Sequence, residues 1–166
     1  MIKLSQLVNE LKLAGDMRIH MSKTSFELEQ RTFTQKVTRK PFGFWYGFGG
    51  EWIDWCRREM PDWTGKYIYG VNVENVNVLR IKTHMELMQF SREYQSNVSD
   101  TGYRREEGEV IDWNQIANKY DGIEINPYQI EARHQYMWYY GWDIASGCVW
   151  NLKNVKLKLL TDIGIE

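Results

Sequence analysis

The sequence predicts a mixed α+β domain with one or two sheets built mainly of antiparallel pairs. Residues 67–73 and 76–81 alternate between apolar and polar side chains, as half-buried strands do. Residues 4–14 and 51–60 instead place their apolar side chains at helical spacing. The 166 residues suffice for one continuous hydrophobic core, so we expect a single domain over residues 1–166.

The first third of the chain mixes helix and strand signals. Residues 4–14 are predicted to form a helix that Gly15 ends. Residues 17–22 alternate as a short strand does, and residues 42–48 form a second predicted strand. The polar stretch between them, residues 23–39, predicts a loop or a weak helix.

The middle of the chain carries two helix boundaries. Pro61 ends the predicted helix over residues 51–60, since proline cannot continue a helix. The two alternating runs around Glu74-Asn75 form a predicted two-strand unit. Thr83 with Glu86 three residues later is a capping-box pattern, which predicts a helix from there to about Tyr94.

The last third is built from short elements. Residues 95–109 are polar and include Arg104-Arg105-Glu106-Glu107, so we expect an exposed loop. Asp112 and Gln115 cap a predicted short helix that ends near Tyr120. Three further strands are predicted over residues 123–125, 147–151 and 155–160, whereas residues 128–140 fit no single pattern.

Composition excludes several classes of partner and setting. The formal net charge is −1, which argues against a strong interaction with a phosphate backbone or an acidic membrane surface. No apolar run approaches the ~20 residues of a membrane span, and the N-terminus lacks the pattern of a secretion signal. Cys56 and Cys148 are isolated thiols without a pairing pattern, so a reducing, cytoplasmic setting is expected.

Well-marked catalytic motifs do not occur in the sequence. His20, His84 and His134 lie far apart and neither cysteine has a ligand-spaced partner, so no metal site is predicted. The nucleophile elbow of serine hydrolases and the phosphate-binding loop of nucleotide hydrolases are also missing.

Aromatic residues are unusually frequent, with 8 Trp and 10 Tyr. The densest stretch is Lys40-Pro41-Phe42-Gly43-Phe44-Trp45-Tyr46-Gly47-Phe48-Gly49-Gly50. Glycine allows close backbone approach, and aromatic rings offer flat apolar faces, so this stretch suits a site that holds a flat ring. An aromatic core strand between turns explains it equally well. Single-stranded nucleic acid is a third ligand class, but stacked bases need a basic groove that the balanced charge does not favour.

Three short motifs occur in an order that resembles the ADP-ribosyltransferase fold. They are Arg18-Ile19-His20-Met21-Ser22, Gly43-Phe44-Trp45-Tyr46-Gly47, and Ser146-Gly147-Cys148-Val149-Trp150-Asn151 with Val155. The resemblance is to the branch with a His-Tyr-Glu triad, which includes poly-ADP-ribose polymerases and several bacterial toxins. It implies split antiparallel β-sheets with short flanking helices, and NAD as the cofactor.

The resemblance also implies roles for individual residues. His20 and Ser22 would hold the ribose and the amide of NAD. Gly43 begins the motif in which Trp45 occupies the position of the family's stacking Tyr, with Tyr46 beside it. Since Trp45 and Tyr46 alternate, at most one of them faces a cleft, and Trp45 is the one expected there.

The family's catalytic Glu aligns with Ser146, which cannot supply a negative charge. Either Glu124 or Asp143 would have to stabilise the positive charge that develops on the ribose carbon. Each residue also has a structural interpretation: His20 as a hydrogen-bonded core histidine, Glu124 as a solvent-facing side chain, and Asp143 as a turn cap.

The implied function is an NAD-dependent mono-ADP-ribosyltransferase acting on a protein or nucleic-acid target, such as a toxin or a phage effector. The alternative is a non-catalytic interaction module on the same fold, an inhibitor or effector that binds a host protein. Ser146 and the surplus of Trp and Tyr favour that alternative, because aromatic residues dominate interface hot spots.

Overall fold

A computed structural model describes residues 15–99 and 101–162, with the side chains of residues 161–162 left out. The chain divides into two compact units. The first comprises Met1–Glu29, Trp45–Asn75 and Asn154–Glu166, and the second comprises Gln30–Phe44 and Val76–Lys153. The predicted α+β class is confirmed, whereas a single domain over residues 1–166 stays a prediction.

Strands and helices are short and interleaved along the chain. The strands are β1 (Arg18–Ser22), β2 (Val37–Thr38), β3 (Phe44–Phe48), β4 (Tyr67–Asn72), β5 (Val78–Ile81), β6 (Gln95–Ser96), β7 (Val110–Asp112), β8 (Gly122–Ile125), β9 (Ser146–Val149) and β10 (Lys156–Asp162). The α-helices are α1 (Gly49–Glu59), α2 (His84–Tyr94), α3 (Trp113–Ala117) and α4 (Met137–Tyr140). Two 3-10 helices span Pro61–Trp63 and Ile130–Arg133.

The first unit is an antiparallel sheet covered by helix α1. Its strands lie in the order β10-β4-β1-β3. The buried side chains of α1, Ile53 and Cys56, pack with Ile19, Met21 and Ile68 of the sheet. Alternation on β1 therefore turns Ile19 and Met21 toward α1 and His20 toward the other face of the sheet.

The second unit holds β9, β8 and β5 in that order, together with a three-stranded sheet in the order β2-β7-β6. The β8–β9 pair is antiparallel, and the β5–β8 pair is parallel. Its core is aromatic: Trp113, Trp138, Trp142 and Trp150 are each at most 1% exposed. The Trp113, Trp138 and Trp150 indoles donate to the Thr38 carbonyl, the Ser91 hydroxyl and the Tyr120 carbonyl, which satisfies their buried N–H groups.

Local sequence signals account for several helix ends. The Thr83 side chain accepts from the backbone N–H of Glu86, and the Glu86 carboxylate accepts from the backbone N–H of Thr83, completing the predicted capping box. The Asp112 side chain likewise accepts from the backbone N–H of Asn114 at the start of α3.

Most of the predicted helices and strands that fall in the described residues are present. The predicted helix over residues 4–14 lies outside the described residues. Residues 23–39 form a loop apart from β2, and the described residues of 95–109 are largely exposed and include β6. The ambiguous residues 128–140 contain a 3-10 helix and α4.

The predicted two-strand unit around Glu74-Asn75 is not a paired hairpin. Strand β4 pairs with β1 and β10, whereas β5 pairs in parallel with β8. The chain passes from the first unit to the second at this turn, between Asn75 and Val76. Alternation identified both strands correctly, but it carries no information on their partners.

Glycines of the aromatic strand are required by packing. A Cβ on Gly43 would collide with the carbonyl oxygen of Val149 and lie 2.8 Å from the Cys148 sulfur. A Cβ on Gly47 would lie 2.6 Å from the Trp52 side chain. Close packing between segments of the same chain therefore explains this glycine pattern.

Among the described residues, no helix combines the length and the apolar character that crossing a membrane requires.

Candidate functional site

Strands β1 and β3 separate where His20 lies. Their pairing register covers Arg18 with Phe48 and Ile19 with Gly47, whereas β1 continues beside β4 as far as Ser22. At the next position, the Nδ1 atom of His20 lies 2.7 Å from the carbonyl oxygen of Trp45. A hydrogen bond from the His20 side chain thus replaces backbone pairing at the position where β1 and β3 separate.

This contact determines that Nδ1 of His20 carries a proton, and burial determines the charge of the ring. A carbonyl oxygen only accepts hydrogen bonds, so Nδ1 is the protonated nitrogen. Burial lowers the pKa of His20 below its ordinary value, and the hydrogen bond to Trp45 opposes that shift only in part. The ring is therefore neutral at pH 7, with Nε2 as its acceptor nitrogen.

Two aromatic residues surround His20 on its own face of the sheet. Tyr69 is the register partner of His20 on β4, and paired residues share a face. The Phe26 ring meets His20 edge to face at 5.7 Å and meets the Tyr69 ring at 5.0 Å. The backbone N–H of Phe26 donates to the Tyr69 hydroxyl at 3.2 Å. The segment that follows β1 is thereby folded back over the imidazole.

Trp45 and Tyr46 point to opposite faces of β3, as the sequence predicts. Tyr46 is 1% exposed and belongs to the core, whereas Trp45 is half-buried. Gly47 pairs with Ile19, so alternation places the Trp45 side chain on the Ile19 face. His20 points to the other face. It is therefore the backbone carbonyl of Trp45, and not its ring, that contacts His20.

The other two predicted binding residues of this region have local roles. The Ser22 hydroxyl donates to the Thr24 carbonyl at 2.7 Å and accepts from the Thr24 N–H, forming a small turn after β1. Gly43 packs against Cys148 and Val149 of β9 in the second unit. Ser22 and Gly43 both determine the path of backbone that a ligand could contact. Gly43 has no side chain, and the Ser22 hydroxyl is not a strong ligand group.

Ser146 and Glu124 lie on neighbouring strands but face opposite ways. In the β8–β9 register, Ser146 pairs with Ile125 and Glu124 pairs with Gly147. Since residues one position apart alternate, the Glu124 carboxylate lies on the sheet face opposite the Ser146 hydroxyl. That hydroxyl donates to the Ile144 carbonyl at 3.1 Å.

Glu124 is a buried carboxylate with a cationic partner. It is 5% exposed, which excludes the solvent-facing interpretation, and its Oε1 lies 3.6 Å from Nε of Arg80. Arg80 is the register partner of Glu124 on the parallel strand β5. The burial and the ion pair are both typical of a structural carboxylate.

Asp143 is the more accessible of the two candidate carboxylates. Its side chain is 36% exposed and lies 3.2 Å from Nη2 of Arg133. Lys40 is a second cation near it: burial lowers the pKa of Lys40, while the charge of Asp143 opposes that shift. Asp143 is also three residues from Ser146 along the chain, just before β9.

The structure therefore joins some predicted residues and leaves others apart. His20 and Trp45 meet in the first unit, but Ser146 and Glu124 do not share a face. Sequence analysis missed Phe26, Tyr69, Arg80 and Arg133, because each acts through a partner at least ten positions away. Phe26 alone had a visible signal, as an isolated aromatic residue in a polar segment.

Among the described residues, no three His, Cys, Asp or Glu side chains cluster so that they could hold a metal ion. A comparison with protein-family models, with curated proteins and with solved structures finds no match to this chain.

Proposed function

We propose that this chain binds NAD and transfers ADP-ribose to a macromolecular target, as an ADP-ribosyltransferase-like protein. The observation that carries the proposal is the hydrogen bond between Nδ1 of His20 and the carbonyl oxygen of Trp45. It holds a neutral imidazole at the point where β1 and β3 part, with Nε2 as the acceptor nitrogen. The family resemblance assigns the ribose hydroxyl to His20, and a neutral imidazole is chemically able to hydrogen-bond a hydroxyl group.

Backbone groups at the end of β1 are the proposed partners of the amide of a nicotinamide ring. Beyond Ile19, β1 no longer follows the register of β3, and its course is set by β4 and by the Ser22–Thr24 turn. Backbone N–H and C=O groups are obligatory hydrogen-bonding partners and can pair with a carboxamide. Aromatic rings near His20 add a stacking surface.

Transfer additionally needs a carboxylate to stabilise developing positive charge on the ribose carbon. Of the two candidates, Asp143 fits better, because it is partly exposed and precedes Ser146 by three residues. Glu124 fits worse, because it is buried against Arg80 on the face opposite Ser146. NAD would supply the ADP-ribose group, with nicotinamide as the leaving group.

Binding of NAD is the first test. Isothermal titration calorimetry of the wild-type protein with NAD should give saturable binding, and His20→Gln should weaken it by about tenfold or more. His134→Gln is the matched control, since His134 belongs to the second unit and contacts Tyr140. Failure of the wild-type protein to bind NAD at millimolar concentration would remove the proposal.

Transfer is the second test. Incubation with NAD labelled in its adenylate group should label the protein itself or a macromolecule in an extract. Labelling that His20→Gln abolishes, and that His134→Gln leaves intact, supports transfer by this site. Labelling that survives in His20→Gln contradicts it.

A second candidate function is a non-catalytic interaction module on the same fold. The specific observation in its favour is that each carboxylate faces an arginine: Glu124 faces Arg80 and Asp143 faces Arg133. An arginine neutralises much of the charge that catalysis would require. NAD binding without any labelling, combined with a stable complex with a target protein, would favour this candidate over the enzyme.

A further inference from the structure

We infer that Trp63 is the anchor of a docking surface for a segment of a partner protein that presents arginine side chains. Trp63 ends the 3-10 helix Pro61–Trp63, which follows α1 in the first unit. This surface goes beyond the proposed function and does not depend on NAD, since it includes no residue of the His20 site. Three features of the first unit support it: a row of indole rings, the exposure of the last ring, and the charges beside the row.

Three indole rings of the first unit follow one another in what we call the tryptophan row: Trp52, Trp55 and Trp63. Trp52 and Trp55 stack, with ring centroids 5.6 Å apart and ring planes inclined at 11°. Trp63 meets Trp55 at 6.0 Å with an inclination of 52°. Trp52 and Trp55 also pack against the buried residues between α1 and the sheet. The core therefore fixes the inner two rings, and Trp63 is the outer member of the row.

Trp63 is the exposed ring of the tryptophan row. It is 52% exposed, whereas the four core indoles of the second unit are at most 1% exposed. Within the part of the chain that the structure describes, its one ring contact is with Trp55, and its indole N–H has no acceptor. Because the two planes are inclined at 52°, Trp55 does not cover a face of Trp63 as a stacked ring would. Exposed indoles are among the residues that dominate interface hot spots.

Carboxylates border the tryptophan row. Glu51 and Glu59 are four positions before and after Trp55 on α1, so both are its neighbours on the helix surface. Asp62 directly precedes Trp63. Among the described residues, none of these three exposed carboxylates has an ion-pair partner. They are therefore available to pair with charges of another molecule.

The other charges of this segment leave the tryptophan row negative. Arg58, three positions after Trp55, is also its neighbour on the helix surface. Asp54 and Arg57 are one and two positions from Trp55 and do not face it, and the Lys66 ammonium lies 4.9 Å from the ring of the next residue. Three carboxylates against one guanidinium give the row a net charge of −2, which is complementary to a cationic partner.

Arginine is the cation that suits both parts of this surface. The face of an indole attracts cations more strongly than the other aromatic rings do. A guanidinium group is planar, so it can stack on that face while its N–H groups donate in pairs to a carboxylate. The ammonium group of lysine is a compact point charge without this planar geometry. We therefore expect the surface to prefer arginine to lysine.

NMR titration with a peptide of alternating arginine and glycine tests the inference at low salt. The indole N–H resonance of Trp63, assigned from its loss in Trp63→Leu, should shift in a saturable manner. The corresponding lysine peptide should bind about two- to fivefold more weakly, since it loses the stacking geometry. A peptide with citrulline in place of arginine keeps the planar shape without the charge and should not bind detectably.

Substitutions then test the ring and the carboxylates separately. Trp63→Leu should weaken binding of the arginine peptide about two- to fivefold, the effect of one exposed cation–π contact. Leu159→Ala is its matched control, because Leu159 is a 48% exposed apolar residue of the same unit. The double substitution Glu59→Gln with Asp62→Asn should weaken binding by a similar factor, whereas Glu74→Gln, an exposed carboxylate of the same unit, should not. All these side chains are exposed, so the melting temperatures should stay near that of the wild-type protein.

Each outcome bears on one part of the inference. Failure of the wild-type protein to bind the arginine peptide overturns the docking surface, and so does equal binding of the arginine and citrulline peptides. Equal weakening by Trp63→Leu and Leu159→Ala overturns the role of Trp63 as the anchor. Failure to bind NAD, in contrast, removes the proposed function and leaves this docking surface standing.

Discussion

The Nδ1 atom of His20 on β1 lies 2.7 Å from the backbone carbonyl oxygen of Trp45 on β3. Two residues 25 positions apart are thereby joined at the point where their strands stop following one register. The contact requires a proton on Nδ1, and burial favours the neutral ring. The stability of the protein should therefore depend on pH through the burial of this ring.

Protonation of His20 should destabilise the first unit at mildly acidic pH. An unfolded histidine titrates near 6.5, and burial lowers the pKa in the folded protein. Between these two values the unfolded chain binds more protons, so the free energy of unfolding falls as pH drops below about 6.5. Above that pH the contribution is complete.

Urea denaturation between pH 5 and pH 8 measures this effect. The decrease in stability toward pH 5 should be smaller in His20→Gln than in the wild-type protein. His134→Gln, which removes a histidine of the second unit, serves as the control. A pH dependence in His20→Gln as steep as that of the wild-type protein would show that other groups are responsible.

The two adjacent rings of β3 should respond differently to truncation. Tyr46→Ala removes a side chain that is 1% exposed, which should cost roughly 3–5 kcal/mol of unfolding free energy. Trp45→Ala removes a half-buried ring and should cost less, roughly 1–2 kcal/mol. Equal losses in chemical denaturation would mean that both rings belong to the core.

Substitution of the two candidate carboxylates should separate stability from catalysis. Asp143→Asn breaks a partly exposed ion pair and should cost about 0–1 kcal/mol. If Asp143 stabilises the transition state, the labelling rate should nevertheless fall roughly 10²–10³-fold.

Glu124→Gln is the counterpart. It leaves Arg80 without its charged partner, but Arg80 is 42% exposed and can regain water, so the cost should be about 1–3 kcal/mol. Its labelling rate should stay near that of the wild-type protein once the folded fraction is accounted for. The opposite pattern, an inactive Glu124→Gln and an active Asp143→Asn, would reassign the role to Glu124.

Gly47 should tolerate alanine poorly. Its new Cβ would lie 2.6 Å from Trp52, so β3 or helix α1 would have to move, at a cost of roughly 1–3 kcal/mol. Gly70→Ala on β4 is the matched control, because its Cβ would meet Leu160 at an ordinary 3.5 Å. Thermal denaturation compares them, and similar melting temperatures would refute the packing explanation for Gly47.

Both thiols should be unreactive in the folded protein. Burial raises the pKa of Cys56 to about 11 and also raises the pKa of Cys148, despite the nearby charge of Lys40. A thiol of this kind is almost entirely protonated at pH 8, and the thiolate is the reactive form. Ellman's reagent should therefore label two thiols in urea and close to none in buffer; rapid labelling in buffer would contradict the burial.

Local interactions were predictable from the sequence, and distant ones were not. The Thr83–Glu86 capping box is complete within four residues, so its pattern alone identifies the start of α2. Strand β5, in contrast, pairs with β8, more than forty residues later, and periodicity cannot select that partner. Helix α4 spans only Met137–Tyr140 and depends on the burial of Trp138 and Tyr139 in an aromatic core.

In the candidate site, too, local relationships could be predicted from the sequence and distant contacts could not. Alternation on β3 predicted that Trp45 and Tyr46 separate, and the structure agrees. The neighbours of His20 could not be predicted, since the Phe26–Tyr69 hydrogen bond joins residues 43 positions apart. The facing of Glu124 relative to Ser146 likewise depends on the register between β8 and β9, which a residue pattern does not encode.

The hydrogen-bonded indoles of the second unit have a consequence for how its interior can vary. Aliphatic cores tolerate many exchanges of similar volume, because their side chains carry no directional bonds. Here the Trp113, Trp138 and Trp150 rings are each oriented by an acceptor: the Thr38 carbonyl, the Ser91 hydroxyl and the Tyr120 carbonyl. Replacing one indole with phenylalanine would keep most of the apolar contact but leave the acceptor without its donor, most severely at the buried Trp138–Ser91 bond. The orientation of each ring is thus tied to one acceptor position, on strand β2, on helix α2 or in the loop after α3. A change at one of these Trp residues therefore calls for a matching change at its acceptor position.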